Sequence, residues 1–211
     1  MRFRAAAAGG RETPTPAVTH VAGTGRVSHW TPDQKSNDDA TMPPVYVRTL
    51  VDTVDAAVPA LLLLPDRATA EPLSPGKWSP REIVGHLIDS ASNNHRRFIT
   101  ARWKDDLIFD GYDQDQWVDA QRYREAPWFD LVMLWSQFNR HMARVMAAVP
   151  EDVRSKPQAR HNLDRIAWQP IPADGCATLD YFMADYVGHL RHHLKQILGD
   201  GWDAERDAHH G

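Results

Sequence analysis

The sequence predicts an all-α protein, a four-helix bundle with long connections. Four segments repeat apolar residues at the i, i+3, i+4, i+7 spacing of one helix face. Stretches that are rich in proline or lack any clear period separate these segments. Hydrophobic and charged contents of 42% and 25% are typical of a globular chain with a buried core. Four such helices pack as a bundle, in which binding sites lie between facing helices.

The bundle is expected to span residues 44–200, with a tail at each end. Residues 1–43 are rich in Ala, Gly, Thr and Pro and carry no apolar period, so a disordered N-terminal tail is predicted. Met42 stands where the ordered pattern begins and is a candidate for the true start of the chain. Residues 201–211 are polar and are predicted to form a short C-terminal tail.

Composition also limits the partners and the compartment. The net charge is −4 and no basic patch stands out, which argues against a nucleic-acid partner. No apolar run approaches the roughly 18 residues that span a bilayer, so no membrane partner is expected. A single cysteine excludes an intrachain disulfide framework and fits a cytoplasmic protein.

The first helix is predicted from about Tyr46 to about Leu63, with Pro59 expected to kink or break its last turn. Residues 65–77 hold three prolines and a glycine and form a connection. The second helix has a clear start signal, because Ser79, Pro80 and Glu82 form a capping box with proline at the first helical position. This helix is expected to end at about residue 102.

A polar stripe follows the second helix beside its apolar face. Buried polar groups without partners cost about 1–3 kcal/mol each, so a stripe of this kind inside a bundle indicates a functional site. Its members lie at steps of +3, +4, +7 and +11 from the first, and they are His86, Asp89, Ser90, Asn93 and Arg97.

Two further connections flank the third helix. The segment 103–126 has no clear period, and loops of that length in compact domains are often functional. The third helix is predicted from near Pro127 to about Val149, with Leu134 among its buried residues. The segment 151–177 is a connection in which residues 166–168 and 170–177 allow a small hairpin.

The fourth helix is predicted from its N-cap Thr178 to about residue 198, with Gly199 as its stop. His189 and His193 are four residues apart on one helix face, a spacing that suits two imidazole ligands of one divalent metal. Chance gives about 0.6 such pairs in a chain with 11 His, so a third ligand is needed. His86 is the best candidate, and three His ligands leave a position open, as in catalytic zinc sites.

Residues 78–90, with Asn93, Arg97 and Phe98, resemble the second helix of the DinB/YfiT-like superfamily, and residues 186–194 resemble its fourth helix. Tyr112 and Trp117 resemble aromatic residues of the connecting segment in that family. The resemblance covers roughly residues 44–200.

The resemblance implies a DinB-like four-helix bundle, a homodimer, and a divalent metal held by His86, His189 and His193. Zinc is the usual metal of the family, and nickel also occurs. Leu190 and Gln196 depart from the pattern, because the compared branch often has Gly and His at these two places.

The remaining site candidates have structural alternatives. Asp89 is the candidate catalytic residue, as a base or as a partner that orients His86, and a solvated carboxylate is the alternative. Asn93 and Arg97 are candidate contacts to a polar or anionic substrate, or else bonds between helices. Tyr112 and Trp117 are candidate walls of the substrate pocket, or else core aromatics.

The function expected from the three histidines and the resemblance is that of a metal-dependent hydrolase acting on a small molecule. The first alternative is a metal-dependent S-transferase that uses a low-molecular-weight thiol. The second is a non-catalytic stress module that binds a metal or another small ligand.

Overall fold

The structure, a computed structural model, describes residues 42–202, and the predicted tails lie almost wholly outside this range. Within these residues, four long helices form a four-helix bundle, and four shorter helices and a single 3-10 turn lie in the connections. The helices are α1 Val45–Leu62, α2 Asp66–Ala70, α3 Pro80–Ala101, α4 Gln114–Gln121, α5 Trp128–Ala147, α6 Glu151–Arg154, α7 Leu163–Ile166 and α8 Leu179–Leu198, with the 3-10 turn at Tyr123–Glu125.

The core lies between the four long helices. α3 packs against α5 and α8, and α1 packs against the same two helices. Fully buried side chains from each helix meet there, among them Leu50, Leu87, Trp135 and Leu190. Burying a side chain of this size stabilises the fold by about 1.5–3 kcal/mol, so the apolar stripes read from the sequence hold the bundle together.

The predicted helix ends are confirmed where capping residues mark them. Ser79 N–H donates to Glu82 Oε2 at 2.7 Å and Glu82 N–H donates to Ser79 Oγ at 3.4 Å, so the capping box is complete. Thr178 Oγ1 accepts from Tyr181 N–H at 3.1 Å and starts α8. Gly199 ends that helix with a φ of +86°, a conformation that favours glycine.

The structure differs from the sequence-based expectations in α1 and α5. α1 continues through Pro59 to Leu62, so the proline does not break its last turn. Leu134 is 54% exposed, because the buried stripe of α5 runs through Val132, Trp135 and Met142. Leu134 lies three residues after the buried Leu131, a spacing that predicts burial, but its side chain is on the exposed side of the helix.

The connections are more ordered than the sequence indicates. The segment 103–126 contains α4 and the 3-10 turn. The predicted hairpin is wrong, because the described chain has only isolated bridges, Leu107 with His161 and Gln158 with Ala177. Prolines at 170 and 172 lack the N–H that a strand ladder needs. No helix within 42–202 has the length and apolar character to cross a bilayer.

Candidate metal centre

Three histidines converge where α3 meets α8. His86 lies in the second turn of α3, and His189 and His193 lie one turn apart on α8. One ring nitrogen from each histidine lies within 4.8 Å of the other two. His86 Nε2 and His189 Nε2 lie 3.3 Å apart. The structure thus brings together the three residues that the sequence selected as ligands.

Burial keeps these imidazoles neutral. It lowers the pKa of His86 to about 3 and the pKa of His189 to about 2, and the neighbouring histidines push both values in the same direction. The pKa of His193 is also lowered, chiefly by burial. A neutral imidazole carries the lone pair that binds a metal ion. The donor set therefore fits one divalent metal.

Gln196 orients the third of these histidines. Its side-chain Oε1 lies 3.0 Å from His193 Nδ1, and an amide oxygen can only accept, so His193 Nδ1 must carry the hydrogen. The amide Nε2 of Gln196 lies 3.1 Å from His192 Nε2, to which it can donate. This tautomer leaves the lone pair of His193 on Nε2, free to bind a metal. Sequence reasoning treated Gln196 only as a departure from the family pattern.

The Asp89 carboxylate is bound by residues of the connection between α3 and α5. Its Oδ1 accepts from Tyr123 Oη at 2.8 Å and from Gln121 Nε2 at 2.7 Å. Burial raises the pKa of Asp89, and these two hydrogen bonds oppose the shift. Within residues 42–202, Asp89 Oδ2 and His86 Nδ1 have no hydrogen-bond partner, so the predicted orienting bond from Asp89 to His86 is not formed.

A cavity of about 620 Å³ borders His86 and His189. One face of α3 forms its floor, with side chains at steps of four, four and three residues: His86, Ser90, Asn94 and Arg97. Residues of the connections and of α8 complete the wall, and they include Tyr112, Trp168, Asp185 and Tyr186. This polar cavity therefore borders two of the three histidines, His86 and His189.

The predicted substrate-binding residues separate into two groups. Arg97 and Tyr112 line this cavity. Asn93 does not line it, because its amide turns away and donates to the Asp89 carbonyl at 2.9 Å. Trp117 also lies outside the lining and packs on the Tyr112 ring, with centroids 4.9 Å apart. Asn94 and Asp185 were missed, although Asn94 is one residue from a stripe that the sequence revealed.

The buried histidines predict a pH dependence for the stability of the metal-free protein. Because the folded-state pKa of His86 is about 3 and its unfolded value is near 6.5, the unfolded chain binds more protons in this interval. The free energy of unfolding should therefore fall as the pH drops from about 6.5 toward about 3. Urea titrations of the chelator-treated wild type and of His86→Gln check this. An equally steep fall in both proteins would contradict it.

Comparisons with known proteins agree with this architecture. The family model of the DinB superfamily matches residues 49–197. Proteins from Bacillus mycoides and Bacillus cereus, each named "Putative metal-dependent hydrolase", are 23% identical over 152 residues, which cover 72% of this chain and 81% of theirs.

A solved structure has the same fold. YfiT from Bacillus subtilis, described as a probable metal-dependent hydrolase with an unusual four-helix bundle topology, matches with a TM-score of 0.60 at 17% identity. The match covers 77% of this chain and 86% of YfiT. The family model spans most of the bundle and includes both helices that carry the histidines, and the chain belongs to the DinB superfamily.

Proposed function

We propose that this protein is a hydrolase that uses one divalent metal ion held by His86, His189 and His193. The observation that carries the proposal is the convergence of three neutral ring nitrogens within 4.8 Å, beside a cavity of about 620 Å³. The names of the Bacillus relatives support the same reading. Imidazole ligands suit both zinc and nickel, so zinc is the first metal to test and nickel the second.

The chain leaves room for a substrate beside the histidines. A divalent metal bound by three protein ligands supplies a Lewis acid that polarises a carbonyl group and lowers the pKa of water. The cavity is within the size range of small-molecule sites. Ser90 offers a hydroxyl that can orient a polar substrate beside His86.

Asp185 is the carboxylate best placed to hold a proton during hydrolysis. It lines the cavity one helical turn before His189, whereas Asp89 does not line it. Burial raises the pKa of Asp185, although the backbone N–H groups of Trp168 and Gln169 donate to its oxygens at 2.9 and 2.7 Å. A carboxylate whose pKa is raised by burial accepts a proton more readily than a free one. The predicted catalytic role of Asp89 stays a prediction.

The test is turnover by the zinc-loaded and nickel-loaded full chain. Esters, amides, lactams and thiol conjugates should be screened with and without a chelator. Hydrolysis of one class that chelation abolishes and metal restores supports the proposal. Tight metal binding without turnover of any class would favour the non-catalytic binding module.

Thiol transfer is separated in a parallel assay. The metal-loaded chain is mixed with a low-molecular-weight thiol, such as cysteine or glutathione, and monobromobimane. Metal-dependent consumption of the thiol above background would assign S-transfer in place of hydrolysis. The homodimer and the cytoplasmic location stay predictions, and sedimentation equilibrium of the full chain checks the first of them.

Replacing Gln196 is expected to weaken metal binding without removing a ligand. Gln196→Leu removes the acceptor that fixes the His193 tautomer, so zinc affinity should fall by roughly 10–100-fold. His192→Ala is the matched control, because His192 contacts the other end of the same amide and should leave the affinity within a few-fold. Competition against a chromophoric chelator measures the zinc affinity of both variants. Equal affinities in Gln196→Leu and the wild type would refute the orienting role.

A further inference from the structure

Arg97 is a buried cation at the far end of the cavity from the histidines. Its residue is only 6% exposed, and burial lowers the pKa of its guanidinium. Its hydrogen bonds go to neutral acceptors, the Asp110 carbonyl oxygen at 2.6 Å and Asn94 Oδ1 at 3.3 Å. Within the described part of the chain it forms no ion pair with a carboxylate.

A buried charge of this kind calls for an anionic partner. Arginine is seldom buried without a counter-ion, because the loss of hydration costs several kcal/mol that neutral acceptors repay only in part. The two hydrogen bonds hold the guanidinium in one orientation. Its remaining N–H groups retain the fork geometry that binds a carboxylate or phosphate through two oxygens.

The Asp110 carboxylate favours the charged form of Arg97, but Asp110 is exposed and within the described residues it forms no ion pair with the guanidinium. The remaining charges around the cavity form no ion pair with Arg97 in that part of the chain either. Asp113 caps α4, where it accepts from Gln116 N–H at 3.0 Å, and the residue is exposed. Asp115 is also exposed. Asp185 is held by two backbone N–H groups one turn from His189, at the histidine end. The Arg165 side chain is 74% exposed and lies 3.6 Å from Asp164.

The distance between the two ends sets the shape of a ligand. His86 and Arg97 are 11 residues apart on one helix face, a rise of about 16 Å between their Cα atoms. Long helical side chains lean toward the helix N-terminus, which brings the guanidinium some way back toward the histidines. Ser90 and Asn94 fill the floor between them. An extended molecule can therefore reach both ends at once.

We propose that Arg97 binds a terminal oxyanion, a carboxylate or a phosphate, of an elongated small-molecule substrate whose scissile bond lies at the three histidines. This inference rests on the proposed metal-dependent hydrolysis and adds the class of substrate to it. Asn94 is a positioning residue, because it holds the guanidinium through its Oδ1.

Hydroxamates with a charged end test the proposal, since a hydroxamate chelates zinc and the alkyl chain sets the reach. Suberic acid monohydroxamate is titrated calorimetrically into the zinc-loaded full chain and compared with its methyl ester, which has the same chelating group and no charge. The acid should bind the wild type about 10–100-fold more tightly than the ester, as expected for a charged hydrogen-bonded pair. Analogues with a phosphonate end distinguish phosphate from carboxylate as the preferred group.

Substitutions of Arg97 and of its neighbour Arg96 show which arginine binds the charged end of the ligand. Arg97→Gln should bring the acid and the ester to equal affinity, and Arg97→Lys should retain part of the preference. Arg96 is the matched control, because it is the exposed neighbour on α3 and lines only a second cavity of about 330 Å³ that Arg97 also borders. Arg96→Gln should leave the preference unchanged. A loss of preference in Arg96→Gln would move the oxyanion to that second cavity and overturn the proposal.

The outcomes separate this inference from the proposed function. Equal binding of acid and ester to the wild type, with both lost in His189→Ala, would overturn the oxyanion site and leave the metal site standing. If neither hydroxamate binds, the proposed metal site is wrong. The oxyanion site is then tested separately, by adding suberate to the metal-free chain. A rise in the melting temperature of the wild type that is absent in Arg97→Gln supports it. No rise overturns it.

Discussion

The His193→Ala protein is expected to bind zinc more than about 100-fold more weakly than the wild type, since losing a ligand costs more than losing an orienting partner. Hydrolysis should disappear with the metal. The reason is geometric: His193 supplies the nitrogen that completes the cluster from α8, and His86 with His189 would leave only two ligands. Zinc competition titrations and metal-dependent turnover are measured on the same samples.

His192→Ala serves as the matched control for His193→Ala. His192 neighbours His193 on α8 and packs on the Trp168 ring, with centroids 5.5 Å apart. It supplies no nitrogen to the three-histidine cluster. Its variant should retain metal and turnover. Activity that survives in metal-free His193→Ala would contradict the proposed function.

Gly85→Ala is expected to destabilise the fold by about 1.5–5 kcal/mol. A Cβ at this position would overlap the ring of Tyr123, whose hydroxyl donates to Asp89 Oδ1 at 2.8 Å. Overpacking costs about 1–3 kcal/mol, and a lost bond to a carboxylate adds about 1.5–3. The better helix propensity of alanine returns about 1 kcal/mol. Urea unfolding monitored by circular dichroism measures the difference.

Gly188→Ala is the matched control on α8. A Cβ there would lie 2.9 Å from Trp168 Cζ3, but that indole is 40% exposed and can move outward. The stabilisation from the better helix propensity of alanine should then roughly offset the cost of moving the indole. The free energy of unfolding should therefore stay close to that of the wild type. An equal loss of unfolding free energy in the two variants would mean that the packing of Tyr123 on Gly85 does not cause the destabilisation.

The fold was predictable because its main signals are local. A capping box needs only residues 79–82, and the stop at Gly199 needs only the end of one helix. The three histidines were also accessible, because their pattern lies on two long helices whose faces follow from periodicity. α4 was missed because its eight residues carry a single buried side chain, Val118, and so no apolar period.

The finer parts of the site depend on packing that a sequence does not reveal. The polar stripe on α3 predicted Asn93, but Asn94 lines the cavity instead. Asp89 shares the stripe with His86, yet its Oδ1 accepts hydrogen bonds from Tyr123 and Gln121 and its side chain does not line the cavity. The role of Gln196 follows only from the orientation of its amide between two rings.

Metal content of the untagged full chain, measured by mass spectrometry after purification with zinc, tests the central claim most directly. The His86→Ala variant is compared with a His95→Ala/His141→Ala variant, which removes an exposed pair whose Nε2 atoms lie 3.1 Å apart. We expect about one zinc per wild-type chain, lost in His86→Ala and retained in the double variant. Zinc retained in His86→Ala, or absent from the wild type after zinc and nickel are supplied, would contradict it.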